Sequence, residues 1–553
     1  MISITMIGTR AKNLPTAVCR RADGREFYLH SRYDPAEEAR FLIRDVPRRE
    51  RTLYCVLGFG LGYHVKELLQ RIPQSSHVAV LETGDACLSA RLRAAEGTRS
   101  WAWMHNDRLH YLVHRDAQVA PLSLVDRLTR LRLLGLELVP HIPSMLTGEE
   151  FYRQAMAAIP EKFPVSLQNH MGAIDKMLEH PLRNFWANLS HCWRGIPIQN
   201  LRGIWNGRKL VIVSSGPSLT PALPALRASR GDALVLATAS AVRILVANGI
   251  RPDLIASMDP YDANLAHFQG WDTTGIPLAC PPRLHRDILA SYLGPKLRFT
   301  LQEDPPVPLV PAPHRSDFWQ GGSVAFTALQ LAHYLGANPI IFVGQDFAFE
   351  GGHTHAEGSV VDGIYDPAAL PKDFLLVPGV SGRPVVTNRL YHSYLLYMQD
   401  HLAKSAGEMP HVRHINTSAT GARIQGMESM TLEQALALNA TAGASPAEEL
   451  AAALVPGEGI PRAAQQEAVA GWMAEIEGLL AGTAQEENFD RVFAKFRTTS
   501  AFRQASGCYE DVYYLYETRS GSRKEESNQT FLSRFREHLR NILADMGKFR
   551  EAD

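Results

Sequence analysis

Residues Leu210 to Pro260 read LVIVSSGPSLTPALPALRASRGDALVLATASAVRILVANGIRPDLIASMDP, and this stretch decides the fold. Its first apolar run, Leu210 to Val213, breaks into Ser214-Ser215-Gly216-Pro217-Ser218 and then into a helix-compatible segment. A second run, Ala233 to Ala237, ends in Thr238-Ala239-Ser240, and a third, Leu254 to Ser257, ends in Met258-Asp259-Pro260. Short apolar strands separated by helical patterns are the sequence form of a parallel sheet covered on both faces. Hydroxyl, glycine and acidic residues collected at the strand ends are what such a sheet uses to build a ligand crevice.

Working outward, the alternation continues. It predicts strands at 210–213, 233–237, 254–257, 277–280, 297–301 and 339–343, with helices near 220–227, 240–248, 262–269, 283–293 and 323–335. In the last helix Val324, Ala328, Leu331 and Leu335 mark one buried face. Gly321-Gly322-Ser323 before it places backbone N–H groups and a hydroxyl at a helix start, which attracts anions or simply caps the helix. Five prolines between Glu303 and Pro313 make that segment an extended connector. After 339–343 come Gly344-Gln345-Asp346 and the loop GGHTHAEG (Gly351 to Gly358), then an irregular stretch to about Pro384, of a length usually kept for binding or lid loops. A helix from Thr387 to Met398 carries Tyr391, Tyr394 and Tyr397 on one face, and His414 to Ser418 reads as a final strand.

Towards the N-terminus, Leu53 to Leu57, the turn Gly58-Phe59-Gly60-Leu61-Gly62, a helix through Arg71 and a strand ending at Glu82 have the layout of a nucleotide-binding βαβ unit. Two readings stand there: a dinucleotide or S-adenosylmethionine site with Glu82 on a ribose, or a tight turn that binds nothing. The region from Thr431 onward is helical, with amphipathic segments at 465–483, 486–503 and 526–549. Tyr509, Tyr513, Tyr514 and Tyr516 either pack these helices or form a protein-contact surface. The chain is thus expected to hold an N-terminal Rossmann-like domain (1–195), a central α/β domain (196–430) and a helical C-terminal domain (431–553).

Lysine plus arginine equals aspartate plus glutamate, 57 each, so no global field favours nucleic acid or an anionic membrane. No apolar run approaches the roughly 20 residues needed to span a bilayer, and the first residues lack a basic-then-apolar secretion pattern. Six cysteines without a C-x-x-C pair read as buried thiols of a reducing compartment, so a cytoplasmic location is expected. There is no D-x-D; Asp259 and Asp262 come nearest to a magnesium-binding pair, and His353-Thr354-His355 has no third ligand at suitable spacing, so no metal site is expected.

SSGPSL (Ser214 to Leu219), ASMDP (Ala256 to Pro260), GGSVAFTALQLAHYLG (Gly321 to Gly336) and GQDFAFEGGHTHAEG (Gly344 to Gly358), in this order, resemble the motility-associated factor family of bacterial flagellin glycosyltransferases. LHSRYDPAEEA near the N-terminus is similar to that family too. The Gly-Pro-Ser turn also resembles bacterial sialyltransferases that use CMP-activated sugars, although Ser215 stands where those commonly have Asn. The archaeal hydroxymethylpterin diphosphokinases share the same core domain and supply the rival reading, a pterin kinase using ATP and magnesium. A third is a non-enzymatic scaffold that binds flagellin or a chaperone.

The resemblance implies transfer of a nonulosonic acid, of pseudaminic or legionaminic type, from its CMP donor to Ser or Thr of flagellin. The implied partners are flagellin and a flagellin export chaperone, with no further cofactor. The chemistry requires groups that hold cytidylate, stabilise the departing phosphate and deprotonate a hydroxyl. The backbone N–H groups of Ser215, Gly216 and Ser218 are expected on the phosphate, with Ser214 and Pro217 also in the ligand set, and Thr238 and Ser240 are expected to offer their hydroxyls to ribose, phosphate or sugar carboxylate. Pro260 fixes the turn after Asp259, whose carboxylate would hold ribose hydroxyls or the acceptor. Gly322 and Ser323 form a second anion cradle, with Gln345 also in the ligand set. Asp346, His353 and His355 are the expected acid–base residues, with Asp259 beside them.

Overall fold

The computed structural model describes the chain except residues 1–2, 12–13, 84–102, 115, 229–232, 303, 306, 311–316, 320–321, 361–362, 364–373, 439–444, 456–458, 520–523 and 552–553. Cys87, Gly321 and parts of the proline connector and of the loop before Pro384 lie outside the described residues. The chain forms two compact units, Met1–Ala173 and Ile174–Asp553.

In the first unit an antiparallel sheet of β1 (Ser3–Ile7), β2 (Thr16–Arg20) and β3 (Glu26–Tyr28) precedes helix α1 (Pro35–Ile43). The α1 start follows the expected signature: Asp34 accepts from the N–H groups of Ala36 and Glu37, with Pro35 in the first turn. A parallel sheet then forms from β4 (Thr52–Leu57), β5 (His77–Thr83), β6 (Leu109–His114) and β7 (Gly135–Pro140), in the order β6-β5-β4-β7. Helix α2 (Tyr63–Arg71) crosses from β4 to β5.

The second unit is built on a nine-stranded parallel sheet. Its strands are β8 (Ile196–Pro197), β9 (Leu210–Val213), β10 (Leu234–Thr238), β11 (Leu254–Ala256), β12 (Leu278–Cys280), β13 (Lys296–Arg298), β16 (Ile340–Val343), β19 (His414–Asn416) and β20 (Glu428–Ser429). Their spatial order is β20-β19-β16-β9-β10-β11-β12-β13-β8. The apolar runs are explained by two-sided burial. Leu210, Ile212, Leu234, Leu236, Ile340 and Phe342 pack into one core, and Val211, Val213, Val235, Ala237, Ile341 and Val343 into the other. Helices α3 (Leu219–Ala228), α4 (Ala239–Ala247), α5 (Arg286–Ser291) and α6 (Val324–Leu335) connect the strands.

Four local expectations change. The segment 262–267 is a 3₁₀ turn, and 297–301 splits into β13 and β14 (Thr300–Leu301), which pairs with β15 (Asp317–Phe318). The expected irregular loop ends in an antiparallel hairpin, β17 (Phe374–Pro378) and β18 (Pro384–Asn388), whose second strand takes Thr387 from the expected helix. The aromatic helix is longer than expected, α7 (Arg389–Glu408), with Asn388 capping the Tyr391 N–H at 2.8 Å.

The C-terminal helices α8 (Arg462–Gly482), α9 (Phe489–Phe496), α10 (Ser506–Arg519) and α11 (Lys524–Glu551) close on an aromatic core. Phe489, Phe493, Phe496 and Tyr509 pack edge-on or tilted against the Phe535 ring within it. Tyr509, Tyr514 and Tyr516 are buried, so these tyrosines pack helices together.

Candidate functional site

The chain leaves β9 towards β10, β11, β12 and β13 on one side, and returns through β16, β19 and β20 on the other. Connections therefore diverge at the carboxyl ends of β9 and β16, where a doubly covered sheet opens a crevice. A cleft of about 390 Å³ lies there. Ser214, Ser215 and Gly216 after β9, Thr238 and Ser240 after β10, Asp259 to Tyr261 after β11, Arg283 after β12 and Gly344 to Ala348 after β16 line it. Gly322 and Ser323 at the α6 start, Thr354 and His355 of the glycine-rich loop, and Tyr391 and Tyr394 of α7 complete the wall.

The turn after β9 is locked to the turn after β16. Gly216 donates its N–H to the Gly344 carbonyl (2.9 Å), and Ser218 donates both its N–H (2.8 Å) and its hydroxyl (2.6 Å) to Asp346. Ser418 adds a third donor to that carboxylate at 2.5 Å, and Ser214 donates to the Gln345 side chain at 2.8 Å. A Cβ on Gly216 would sit 2.6 Å from the Gly344 carbonyl oxygen, so only glycine allows this approach. The expected phosphate cradle is thereby corrected. The Gly216 and Ser218 N–H groups are used to hold the turns together, and Pro217 and Ser218 lie outside the cleft lining.

What faces the cleft is a chain of hydroxyls. Ser215 donates to Ser240 at 2.8 Å, Ser240 meets Thr238 at 3.3 Å, and Thr238 donates to the Val213 carbonyl at 3.2 Å. Thr238 is also the N-cap residue of α4 and makes no side-chain capping bond, so the helix start that can meet an anion here is that of α4. Ser323 caps α6 through the Ala325 N–H at 3.4 Å, and a Cβ on Gly322 would touch the Tyr394 ring at 2.8 Å.

Asp346 is buried, and burial pushes its carboxyl above the usual range while Ser218 and Ser418 pull it back. With three donors on it, this carboxylate positions two turns. Asp259 is half-buried, accepts from the Tyr261 N–H at 3.0 Å, and is also raised by burial. His355 lies between two hydroxyls: Thr354 at 2.9 Å from Nδ1 and Tyr391 at 3.2 Å from Nε2. In such a sandwich one ring nitrogen of the neutral imidazole accepts a hydrogen bond while the other donates one. Burial drives the Tyr391 phenol to about 12, so it stays a neutral hydroxyl at working pH. His353 is exposed and outside the lining.

A family model described as MptE-like, 6-hydroxymethylpterin diphosphokinase MptE-like, matches residues 183–352. An uncharacterized protein of Treponema pallidum (strain Nichols) is 26% identical over 157 residues, which cover 23% of this chain. The match spans 39% of that relative's length. The solved structure of the MAf glycosyltransferase from Magnetospirillum magneticum AMB-1 aligns over 97% of this chain and 92% of its own, with a TM-score of 0.51 and 15% identity. The chain shares that protein's fold.

The glycine turn of the first unit is filled from within. The strand-terminal Glu82 is buried and accepts from the Phe59 N–H (2.6 Å) and the Tyr152 hydroxyl (3.0 Å), which spends the group expected on a ribose. A Cβ on Gly60 would lie 2.7 Å from His30 Nε2 and 2.9 Å from His141 Cε1. His30, His64 and His141 each bring a nitrogen within 4.8 Å of the others. Their rings are stacked, however, with centroids 4.0 Å apart at 14° for His64–His141 and 4.7 Å at 25° for His30–His141. A bound metal lies in the plane of each imidazole, so stacked faces send their lone pairs along near-parallel directions instead of to one point. His30 Nε2 moreover accepts the Leu61 N–H at 2.9 Å.

The fold brings Ser214, Ser215, Gly216, Thr238, Ser240, Asp259, Pro260, Gly322, Ser323, Gln345, Asp346 and His355 of the expected set to one cleft, and leaves Pro217, Ser218 and His353 outside its lining. Arg283, Tyr261, Thr354, Tyr391 and Tyr394 also line it and were not among the expected residues. The tyrosines of α7 carried a signal, an aromatic stripe. Arg283, inside Pro281-Pro282-Arg283, carried none.

Proposed function

We propose that the cleft binds a CMP-activated nonulosonic acid and transfers the sugar to Ser or Thr of flagellin. The row of neutral hydroxyls from Ser215 to Ser240 and Thr238 at the start of α4, lining one cleft with His355, carries the reading. The hydroxyls and the α4 start hold the departing phosphate, where negative charge grows as the glycosidic bond breaks. Asp259 accepts from hydroxyls of the donor. The acceptor hydroxyl passes its proton to the Tyr391 hydroxyl as that hydroxyl gives its own to His355 Nε2, with Thr354 holding Nδ1. The likeness of fold to a MAf glycosyltransferase supports this reading.

The match to a diphosphokinase-like model over residues 183–352 favours a second reading, ATP bound through magnesium. The carboxylates available for that ion weigh against it: Asp346 already accepts three hydrogen bonds, and Asp262 pairs with His285 at 2.9 Å. Calorimetry of the full chain decides between them. CMP binding in EDTA is expected, whereas magnesium-dependent ATP binding without a CMP signal would establish the second reading. Mass spectrometry of flagellin from cells lacking the protein is expected to show loss of a nonulosonic-acid mass; an unchanged mass would overturn the acceptor assignment.

A further inference from the structure

Arg283 is the single lysine or arginine among the described residues lining the cleft. Its side chain is 11% exposed and its Nε stands 2.5 Å from Asp304 Oδ1, a carboxylate 1% exposed at its side chain. The backbone around it is pinned from behind by two fully buried asparagines. Asn184 donates to the Arg283 carbonyl at 3.1 Å, and Asn188 to the carbonyls of Pro282 (2.8 Å) and Leu284 (2.7 Å). A long cationic side chain held by a buried counter-charge and a fixed backbone has already lost its rotamer freedom, so little entropy remains to be lost on gripping a ligand.

The position is informative as well. Arg283 follows β12, three strand spacings from the turn after β9 that carries Ser215 and two from the end of β10 that carries Thr238 and Ser240, or about 10–14 Å along the sheet at about 4.8 Å per strand. It therefore addresses a different part of the ligand from the Ser215–Ser240–Thr238 hydroxyls. Those hydroxyls are neutral, so the guanidinium supplies the cationic, two-pronged contact that a carboxylate or phosphate oxygen pair takes best.

We propose that Arg283, oriented by Asp304, clamps an oxyanion of the bound ligand, with the sugar carboxylate and the phosphate as its two sources. This rests on the cytidylate-sugar reading of the cleft, and the probes separate the two. Binding of cytidine, CMP, CMP-N-acetylneuraminic acid and inorganic phosphate to the full chain is measured by calorimetry and by shifts in melting temperature. R283Q is expected to leave cytidine unchanged and to lose about tenfold or more on an anionic probe. R283K should recover part of that loss. Loss on CMP-N-acetylneuraminic acid alone identifies the carboxylate, and equal loss on CMP identifies the phosphate. Because R283Q strands the buried Asp304, the double variant R283Q/D304N, which replaces the ion pair with two amides, provides a folded control and should show the same loss.

Wild-type affinity for every probe in R283Q/D304N would overturn the clamp. If wild type ignores all cytidine probes yet is stabilised by phosphate through Arg283, the cytidylate reading falls and the clamp stands. A wild-type protein that binds none of the probes overturns both.

Discussion

At Asp346 one carboxylate decides whether two turns stay together. It accepts from the Ser218 N–H, the Ser218 hydroxyl and the Ser418 hydroxyl, and Gly421 packs so closely that a Cβ there would fall 2.7 Å from the Asp346 Cα. Removing a buried acceptor leaves each donor paying its own desolvation, about 1–3 kcal/mol apiece. Asp346→Ala is therefore expected to cost on the order of 3 kcal/mol in denaturant unfolding and to abolish ligand binding, since the Ser214–Gly216 wall would loosen. Asp346→Asn keeps one acceptor oxygen and should lose less. A stable, fully binding Asp346→Ala protein would show that the turn holds itself. The sequence marked this aspartate as an acid–base residue because it stands at a strand end; that its carboxylate is occupied depends on Ser218 and Ser418, far away in the chain.

At the scale of elements, α6, α7 and β19 meet through three histidines. His333 Nε2 lies 2.7 Å from His414 Nε2, and His401 stacks on His333 with centroids 5.7 Å apart. Burial, aided by their mutual repulsion, lowers His333 to about 3 and His401 to about 4, and burial lowers His414 to about 4. These groups are neutral in the fold, while the unfolded chain takes up protons below about 6.5. Stability contributed here is complete above that pH and is lost as pH falls towards 4, at up to about 1.4 kcal/mol per pH unit for each histidine. Melting temperature is expected to fall steeply between pH 6.5 and 4, and the slope should ease in His414→Asn. An unchanged slope in that variant would place the acid sensitivity elsewhere, as at His538, which is buried and also lowered to about 4.

Over the whole second unit, the C-terminal helices are tied to the segment before the sheet by buried polar contacts. The Trp186 indole N–H donates to the Tyr509 hydroxyl at 2.9 Å, and His538 Nε2 stands 3.0 Å from the same oxygen. Tyr509→Phe leaves the indole N–H without its acceptor and is expected to destabilise by about 1–3 kcal/mol. Because the link joins residue 186 to residues 509 and 538, the loss should appear in the unfolding of the whole unit when followed by tryptophan fluorescence. A separate early transition of the C-terminal helices would show that they fold independently.

The parallel sheet is legible in the amino-acid chain alone. Runs such as Leu210–Val213 and Ile340–Val343 have no polar face, so they can only be covered on both sides, and their ends carried the glycines and hydroxyls that mark a crevice. Residue type and local spacing were enough for that. Which groups remain available in the crevice depends on contacts between residues far apart in the chain. The Gly216 and Ser218 N–H groups, Asp346 and Glu82 look like ligand contacts in the chain, yet each is taken by a partner remote in sequence. Arg283 looks like nothing, yet Asn184, Asn188 and Asp304 aim it into the cleft. Hydrogen-bond capacity is finite, and only the folded molecule shows where it has been spent.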